Sequence, residues 1–271
     1  MSAAMSLSTM LTVLTVFVIA GLLLDYFSIV RKPFRLGLTM ALSGILLGLV
    51  LTLCAVLPGS QMFGPVIAER SLRDKVVALT FDDGPYPPYT GQILDILRDN
   101  RAVATFFLIG SNAAKHPDLV RRIVAEGHQL GNHTYNHVDL LKLDRDQIAA
   151  ETDRAGNTIA AIAGEKPHVI RPPHGFRDPL VLDVMHRQGL RVVEWSIASR
   201  DWTNPGVETI VARTLQPVKN GSIILLHDGD GTEASASRAQ TVEAAGRIIK
   251  QLKAKGYRFV TVDEILARQE D

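Results

Sequence analysis

Apolar residues along this chain follow two regimes, and the change falls near residue 58. Residues 7–24 (LSTMLTVLTVFVIAGLLL) and 36–57 (LGLTMALSGILLGLVLTLCAVL) carry no charge. Each is about as long as a bilayer-spanning helix requires. From residue 75 the pattern shortens and alternates. KVVALTF, VATFFLIG, HQLGNH, HVIRPP, RVVEWSI, SIILLHD and YRFVTV read as short strands. Between them lie TGQILDILRDN, PDLVRRIVAEG, residues 144–163, DPLVLDVMHRQG, VETIVARTLQPV and QTVEAAGRIIKQLKAKG, all with helical spacing. About seven strands alternating with helices predict a parallel sheet, and closure into a barrel removes its edges. The expected organisation is a membrane anchor over 1–58, with helices over about 7–29 and 36–57. A linker over 59–73 and an α/β domain over 74–271 follow.

Charge refines the anchor. Residues 1–58 hold only Asp25, Arg31, Lys32 and Arg35, and no basic residue precedes Arg31. The basic loop RKPFR therefore predicts a cytoplasmic turn with both ends outside. The domain then faces the periplasm or cell exterior, on a two-helix, multi-pass anchor in the cytoplasmic membrane. The first apolar run also has a signal-peptide reading, with V-I-A before Gly21, but it lacks a positive n-region. The linker, fully extended, spans about 50 Å. A net charge of +1 gives no reason to expect a nucleic-acid partner. No obligate protein partner is evident either. The single cysteine, Cys54, excludes an intrachain disulfide and a cysteine-based zinc site.

The polar motifs cluster at strand ends. Asp82 and Asp83 follow the first predicted strand, His133 the third and Arg171 the fourth; Asp201 comes after the fifth, and His227 ends the sixth. Barrel active sites gather at the carboxyl ends of strands. His133 and His137 are spaced by four, so a helix, or a loop turning into one, would aim both rings at one point. Surface or core histidines give the same spacing. Beside an Asp-Asp pair, however, two imidazoles and a carboxylate make an open N/O site for zinc or another divalent transition ion. One aspartate would bind that ion and the other would act as a general base. Arg171 suits an orienting role beside the base, and His227 a proton donor whose tautomer Asp201 holds. The remaining histidines, His116, His128, His168 and His186, read as surface or structural residues.

TFDDGP, GNHTYNH, RPPHG, SRDW and LLHD occur in the order found in the NodB-homology polysaccharide deacetylases, carbohydrate esterase family 4. The chain resembles that family over about residues 74–266, connecting segments such as ATFFLIG and QTVEA included. The resemblance implies a distorted (β/α)7-type barrel, here preceded by two transmembrane helices. It also implies one divalent metal ion, zinc first, with cobalt, nickel or manganese as alternatives. Asp82 resembles the general base, and Asp83, His133 and His137 the metal triad. Arg171 would tune Asp82, and Asp201 would support His227 as the general acid. Trp202 and Leu225 resemble the walls of the acetyl pocket, and the backbone N–H of His174 an oxyanion donor. Two positions depart from the family's pattern: His174 stands for its usual tyrosine, and Ala198 for a frequent aspartate. The implied activity is removal of N-acetyl groups from an amino-sugar polysaccharide: peptidoglycan, a chitin-like polymer or an exopolysaccharide. Alternatives are an inactive glycan-binding module, or a hydrolase of O-acetyl groups or small cyclic amides. A complete acid, base and ligand set argues against the binding module.

Overall fold

The computed structural model describes residues 4–26, 33–232 and 236–268. The chain opens with two helices, α1 (Leu7–Tyr26) and α2 (Pro33–Val56). They pack antiparallel: Val18 and Leu14 lie against Gly44, Leu11 and Leu14 against Gly48, and Met40 against Gly21. Gly44 and Gly48 are four apart, the small-residue spacing that lets two apolar helices approach closely. A Cβ at Gly44 would collide with a methyl of Val18.

Among the described residues, Gly37–Val56 is the only helical stretch long and apolar enough to cross a membrane. The apolar part of α1 is shorter, Leu7–Leu23, because Asp25 and Tyr26 end it. The expectation of two spanning helices is thus met in composition and length by one of them. Residues 27–29 of the expected first span, and Arg31 and Lys32, lie outside the described residues. Arg35 belongs to α2 rather than to a loop.

The rest is a curled parallel sheet wrapped by helices. In chain order come β1 (Val76–Asp82), α3 (Tyr89–Asp99), β2 (Thr105–Leu108), α4 (Gly110–Lys115), α5 (Pro117–Ala125) and β3 (Gln129–Asn132). Next are α6 (Arg145–Ala163), β4 (Val169–Ile170), α7 (Pro179–Arg187), β5 (Arg191–Val192), β6 (Ile197–Ala198) and α8 (Val207–Leu215). The domain closes with β7 (Ile223–His227), α9 (Ala239–Ala254), β8 (Arg258–Phe259) and α10 (Val262–Leu266). Strand order is β5-β4-β3-β2-β1-β7-β6, with β8 also on β1. All seven residues of β1 are buried, as a central strand covered on both faces must be. On its helix-facing side, Phe81 stacks on Phe106 with ring centroids 5.2 Å apart. Helix ends follow local chemistry. Asp144 and Gln147 form a capping box at the start of α6, and Gly164 stops it in a left-handed conformation.

One expectation needs correction. The barrel is not closed, because β5 and β6 do not pair with each other. RVVEWSI, predicted as one strand, is split between these two edges. Val192 accepts a hydrogen bond from the Ile67 N–H (3.0 Å), and the Ile67 carbonyl accepts from the Glu194 N–H (2.7 Å). Three residues on, the Arg70 N–H donates to the Gly221 carbonyl (3.1 Å). Residues 67–70, inside the expected linker, therefore seal the seam, which is how an otherwise bare sheet edge is covered. Of the two alternatives left open for His133–His137, the structure takes the loop. They sit on a loop with Thr134 (φ 63°) and His137 (φ 56°) left-handed, not on a helix.

Replacing Gly44 with leucine should force α1 and α2 apart, at a cost of about 1–3 kcal/mol. Leu14 and Leu47 line one groove between the helices. Cysteines placed there, in a Cys54→Ser background, should form a disulfide in the parent and not in Gly44→Leu. Undiminished crosslinking would contradict this packing.

Candidate active site

Parallel strands deliver their carboxyl ends to one rim, and the polar residues expected there line a single cleft of about 630 Å³. Its lining includes Asp82, Asp83, His133, His137, His174, Trp202, Leu225 and His227. Arg171 and Asp201 lie beneath it, fully buried. Backbone strain concentrates at the same rim. Asp83, Thr134, His137, His174, Arg200 and Asn204 all have positive φ, and Arg101 is the only other non-glycine among the described residues that does. Such left-handed non-glycine residues persist where the surrounding structure overdetermines them.

Asp82 ends β1, and its Oδ1 accepts a hydrogen bond from Arg171 Nη1 at 2.7 Å. The same Nη1 reaches Thr80 Oγ1 (2.8 Å), while Nε and Nη2 donate to the carbonyls of Val193 (3.1 Å) and Glu194 (2.9 Å). The guanidinium also lies 4.2 Å from the centre of the Phe107 ring. Arg171 is thus immobilised from every side, and it leaves Asp82 Oδ2 facing the cleft, 3.9 Å from His133 Nε2.

Asp83 turns the other way. Its Oδ1 is buried without a hydrogen-bond partner, 3.2 Å from His137 Nε2 and 3.5 Å from His133 Nε2. His133 Nδ1 stands 2.7 Å from the Arg171 carbonyl, an acceptor only, so Nδ1 carries the proton and Nε2 a lone pair. Burial, then the neighbouring His133, pushes His137 down to about 4, so that ring is neutral at pH 7. Burial opposes ionisation of Asp83, but the facing His133 imidazole and the positive charge of His227 hold it well below the carboxylate range. Two imidazole lone pairs and an orphaned carboxylate oxygen, all within 4.8 Å of one another, form a donor set without a proton to share. Ligands on a tetrahedral zinc with bonds of about 2.0–2.1 Å stand about 3.3 Å apart. These residues fit a divalent cation.

On the opposite wall, His227 Nδ1 is 2.9 Å from Asp201 Oδ1, and its backbone N–H donates to Asp201 Oδ2 at 2.8 Å. Thr241 and Ser199 hydroxyls also donate to Asp201. Burial disfavours the imidazolium. The charge and hydrogen bond of Asp201 outweigh it and, with Asp83 and Asp82, push His227 up to about 9. Trp202 packs edge-on to His227, with ring centroids 5.2 Å apart, and Leu225 forms the floor. His174 is exposed at the rim, its ring 5.1 Å from that of His137. Ala198 lies in β6, behind this wall.

Asp228 and Glu194 escaped the sequence reading. Asp228 follows His227 in LLHD; it accepts from Thr90 Oγ1 (2.5 Å), and burial pushes it up to about 7. Gly84 abuts its carboxylate so closely that a Cβ has no room. Glu194 is wholly buried, and burial pushes it up to about 8. Its place in LLHD made Asp228 findable; an acidic residue inside an apolar strand was the only signal for Glu194.

In Asp201→Asn, His227 loses its principal positive influence. Its pKa should fall by about 1–3 units, read from the imidazole resonances in an NMR titration. A value still near 9 would remove Asp201 from this role.

Residues 69–193 match the family model for polysaccharide deacetylase. A peptidoglycan-N-acetylglucosamine deacetylase of Bacillus cereus is 42% identical over 206 residues, covering 75% of this chain and 93% of that protein. A chitooligosaccharide deacetylase of Bradyrhizobium is 41% identical over 202 residues, 72% of this chain and 90% of its own length. Among solved structures, the Bc1960 peptidoglycan N-acetylglucosamine deacetylase in complex with a naphthalenyl-N-hydroxybenzamide superposes with a TM-score of 0.71 at 36% identity. That match covers 76% of this chain and 94% of the other. With the motif residues gathered in one cleft at the barrel rim, the chain belongs to the polysaccharide deacetylase family.

Proposed function

We propose that this protein removes N-acetyl groups from an amino-sugar polysaccharide outside the cytoplasmic membrane, anchored by α1 and α2. The observation that carries the chemistry is the separation of the two adjacent aspartates: Asp82 is tied to Arg171, and Asp83 is turned toward His133 and His137. Asp83, His133 and His137 would hold one divalent ion, zinc by preference for this donor set. Such an ion, when bound, polarises a carbonyl and acidifies water.

The chain's own residues supply the rest. Arg171 fixes one oxygen of Asp82, and the free oxygen takes the proton of the attacking water. The backbone N–H of His174, on the strained turn Pro173–Gly175, donates to the developing oxyanion. Leu225 and Trp202 receive the acetyl methyl and exclude larger acyl groups. His227 is protonated at neutral pH through Asp201, and it gives its proton to the departing amine. Acetate and a free amino sugar leave. Names of the relatives favour peptidoglycan or chitin-type oligosaccharides as the polymer.

Exposed side chains support the anchor. Among the described residues, large exposed hydrophobics run from Met5 to Met62, and beyond them only Val124 and Trp202 qualify. Apolar surface on that scale marks a membrane or protein contact. With the α1–α2 turn cytoplasmic, residues 59–73 lead out to a catalytic unit over 74–271.

The full chain in detergent should release acetate from N-acetylated glycans and lose this activity on chelation. His227→Ala should slow turnover by about 10²–10⁴-fold. Because only the protonated His227 is a donor, activity should fall on the alkaline side, at or below pH 9, since a cation on Asp83 offsets part of the upward pull. Absence of acetate from every acetylated glycan, with polymer binding retained, would overturn the enzymatic reading.

A further inference from the structure

The loop that carries His174 continues directly into Phe176, Arg177 and Asp178, and the last two hold both outer ends of the helical hairpin. Asp178 Oδ1 caps its own helix α7 by accepting from the Val181 N–H (2.9 Å). Its Oδ2 accepts from the N–H of Leu7, the first residue of α1, at 2.6 Å. One carboxylate thus satisfies the positive amino ends of two helices. Arg177 serves the opposite pole. Its backbone N–H donates to Ala55 (3.0 Å), and Nη2 donates to the carbonyls of Leu57 (2.7 Å), Pro58 (3.0 Å) and Ser60 (2.9 Å). A guanidinium there meets the negative carboxyl end of α2.

These contacts are shut away from water: Arg177 and Asp178 are each 1% exposed, Leu7 6% and Ala55 0%. The following chain is not slack either. Gln61 bonds both the N–H and the carbonyl of Val66, and Phe63 packs against the buried cluster that includes Val66, Leu180 and Leu182. A second route leads from the clamp to the base. Arg177 Nη1 lies 3.7 Å from Glu194, whose carbonyl accepts from Arg171, the partner of Asp82.

We propose that Arg177 and Asp178 clamp the barrel rigidly onto the hairpin, so that the cleft stands at a fixed, short height above the bilayer. Its substrate is then acetylated amino-sugar glycan lying at the membrane surface. The height and the substrate rest on the membrane reading above; the clamp does not. Exposed apolar side chains at Met5 and Leu57 place the clamp beside the lipid boundary. Asp178 is four residues from His174, so the cleft wall is at most about 14 Å from the clamp. A free 15-residue linker would allow about 50 Å. The shorter reach confines the enzyme to glycan beside the headgroups.

Spin labels at Val16→Cys and Glu208→Cys, in a Cys54→Ser background, measure the clamp in detergent. A single narrow distance is expected in the full chain, broadening in Arg177→Met/Asp178→Ala; a broad distribution in the unclamped and clamped forms alike would overturn the proposal. The height is tested in vesicles carrying the full chain, with an N-acetylated chitotetraose coupled to a lipid. Acetate release should be on the order of 10²-fold faster when enzyme and lipid-linked sugar share a vesicle than when they sit on separate ones. Equal rates would overturn the membrane-surface substrate. A narrow distance in a chain that fails to float with vesicles would overturn the membrane reading and leave the clamp standing.

Discussion

Two carboxylates buried side by side are the constraint around which the barrel rim is arranged. Asp82 and Asp83 are 3% and 6% exposed. Two such charges 4 Å apart repel by about 4 kcal/mol at an effective dielectric of 20. The fold answers each one separately. A fully buried guanidinium neutralises Asp82, and removing one partner from such a pair costs about 3–5 kcal/mol. Asp83 takes a left-handed backbone that swings its carboxylate toward two imidazoles. Each answer comes from a different strand, so β1, β3 and β4 must lie in this order for either to work.

The scaffold around that pair is economical in its use of backbone. The Arg171 carbonyl fixes the His133 tautomer while its side chain holds Asp82, so one residue governs both halves of the site. The Asn112 amide donates to the Asp83 carbonyl and to that of Gly231, tying β1's rim to the loop after β7. The open seam between β5 and β6 lies behind the cleft and is closed by residues 67–70. The same loop that presents His174 grips the hairpin. Hairpin, seam and site are therefore one connected structure, although they come from distant parts of the chain.

Most of this was legible where local pattern and chemistry coincide. Periodicity located the strands and helices, and the motif residues fell at strand ends because parallel topology puts them there. What was hidden depends on partners far away in sequence. RVVEWSI has the same apolar character whether it pairs as one strand or two; only Ile67, some 125 residues earlier, divides it. The spacing of His133 and His137 suits a helix turn equally well as a loop, and left-handed Thr134 and His137 give no compositional sign. Arg177 and Asp178 read as an ordinary turn before a proline, because their partners are more than 110 residues away. The first apolar run looked long enough to span; Asp25 shortens the apolar part of that helix to Leu7–Leu23.

The central claim is that the adjacent aspartates do different work. Calorimetric zinc titration and acetate release, measured together on Asp82→Asn and Asp83→Asn, test it most directly. The account predicts that Asp82→Asn binds zinc as the parent does yet loses turnover, whereas Asp83→Asn loses the zinc itself. Equal zinc affinity in both variants, or near-parental turnover in Asp82→Asn, would contradict it.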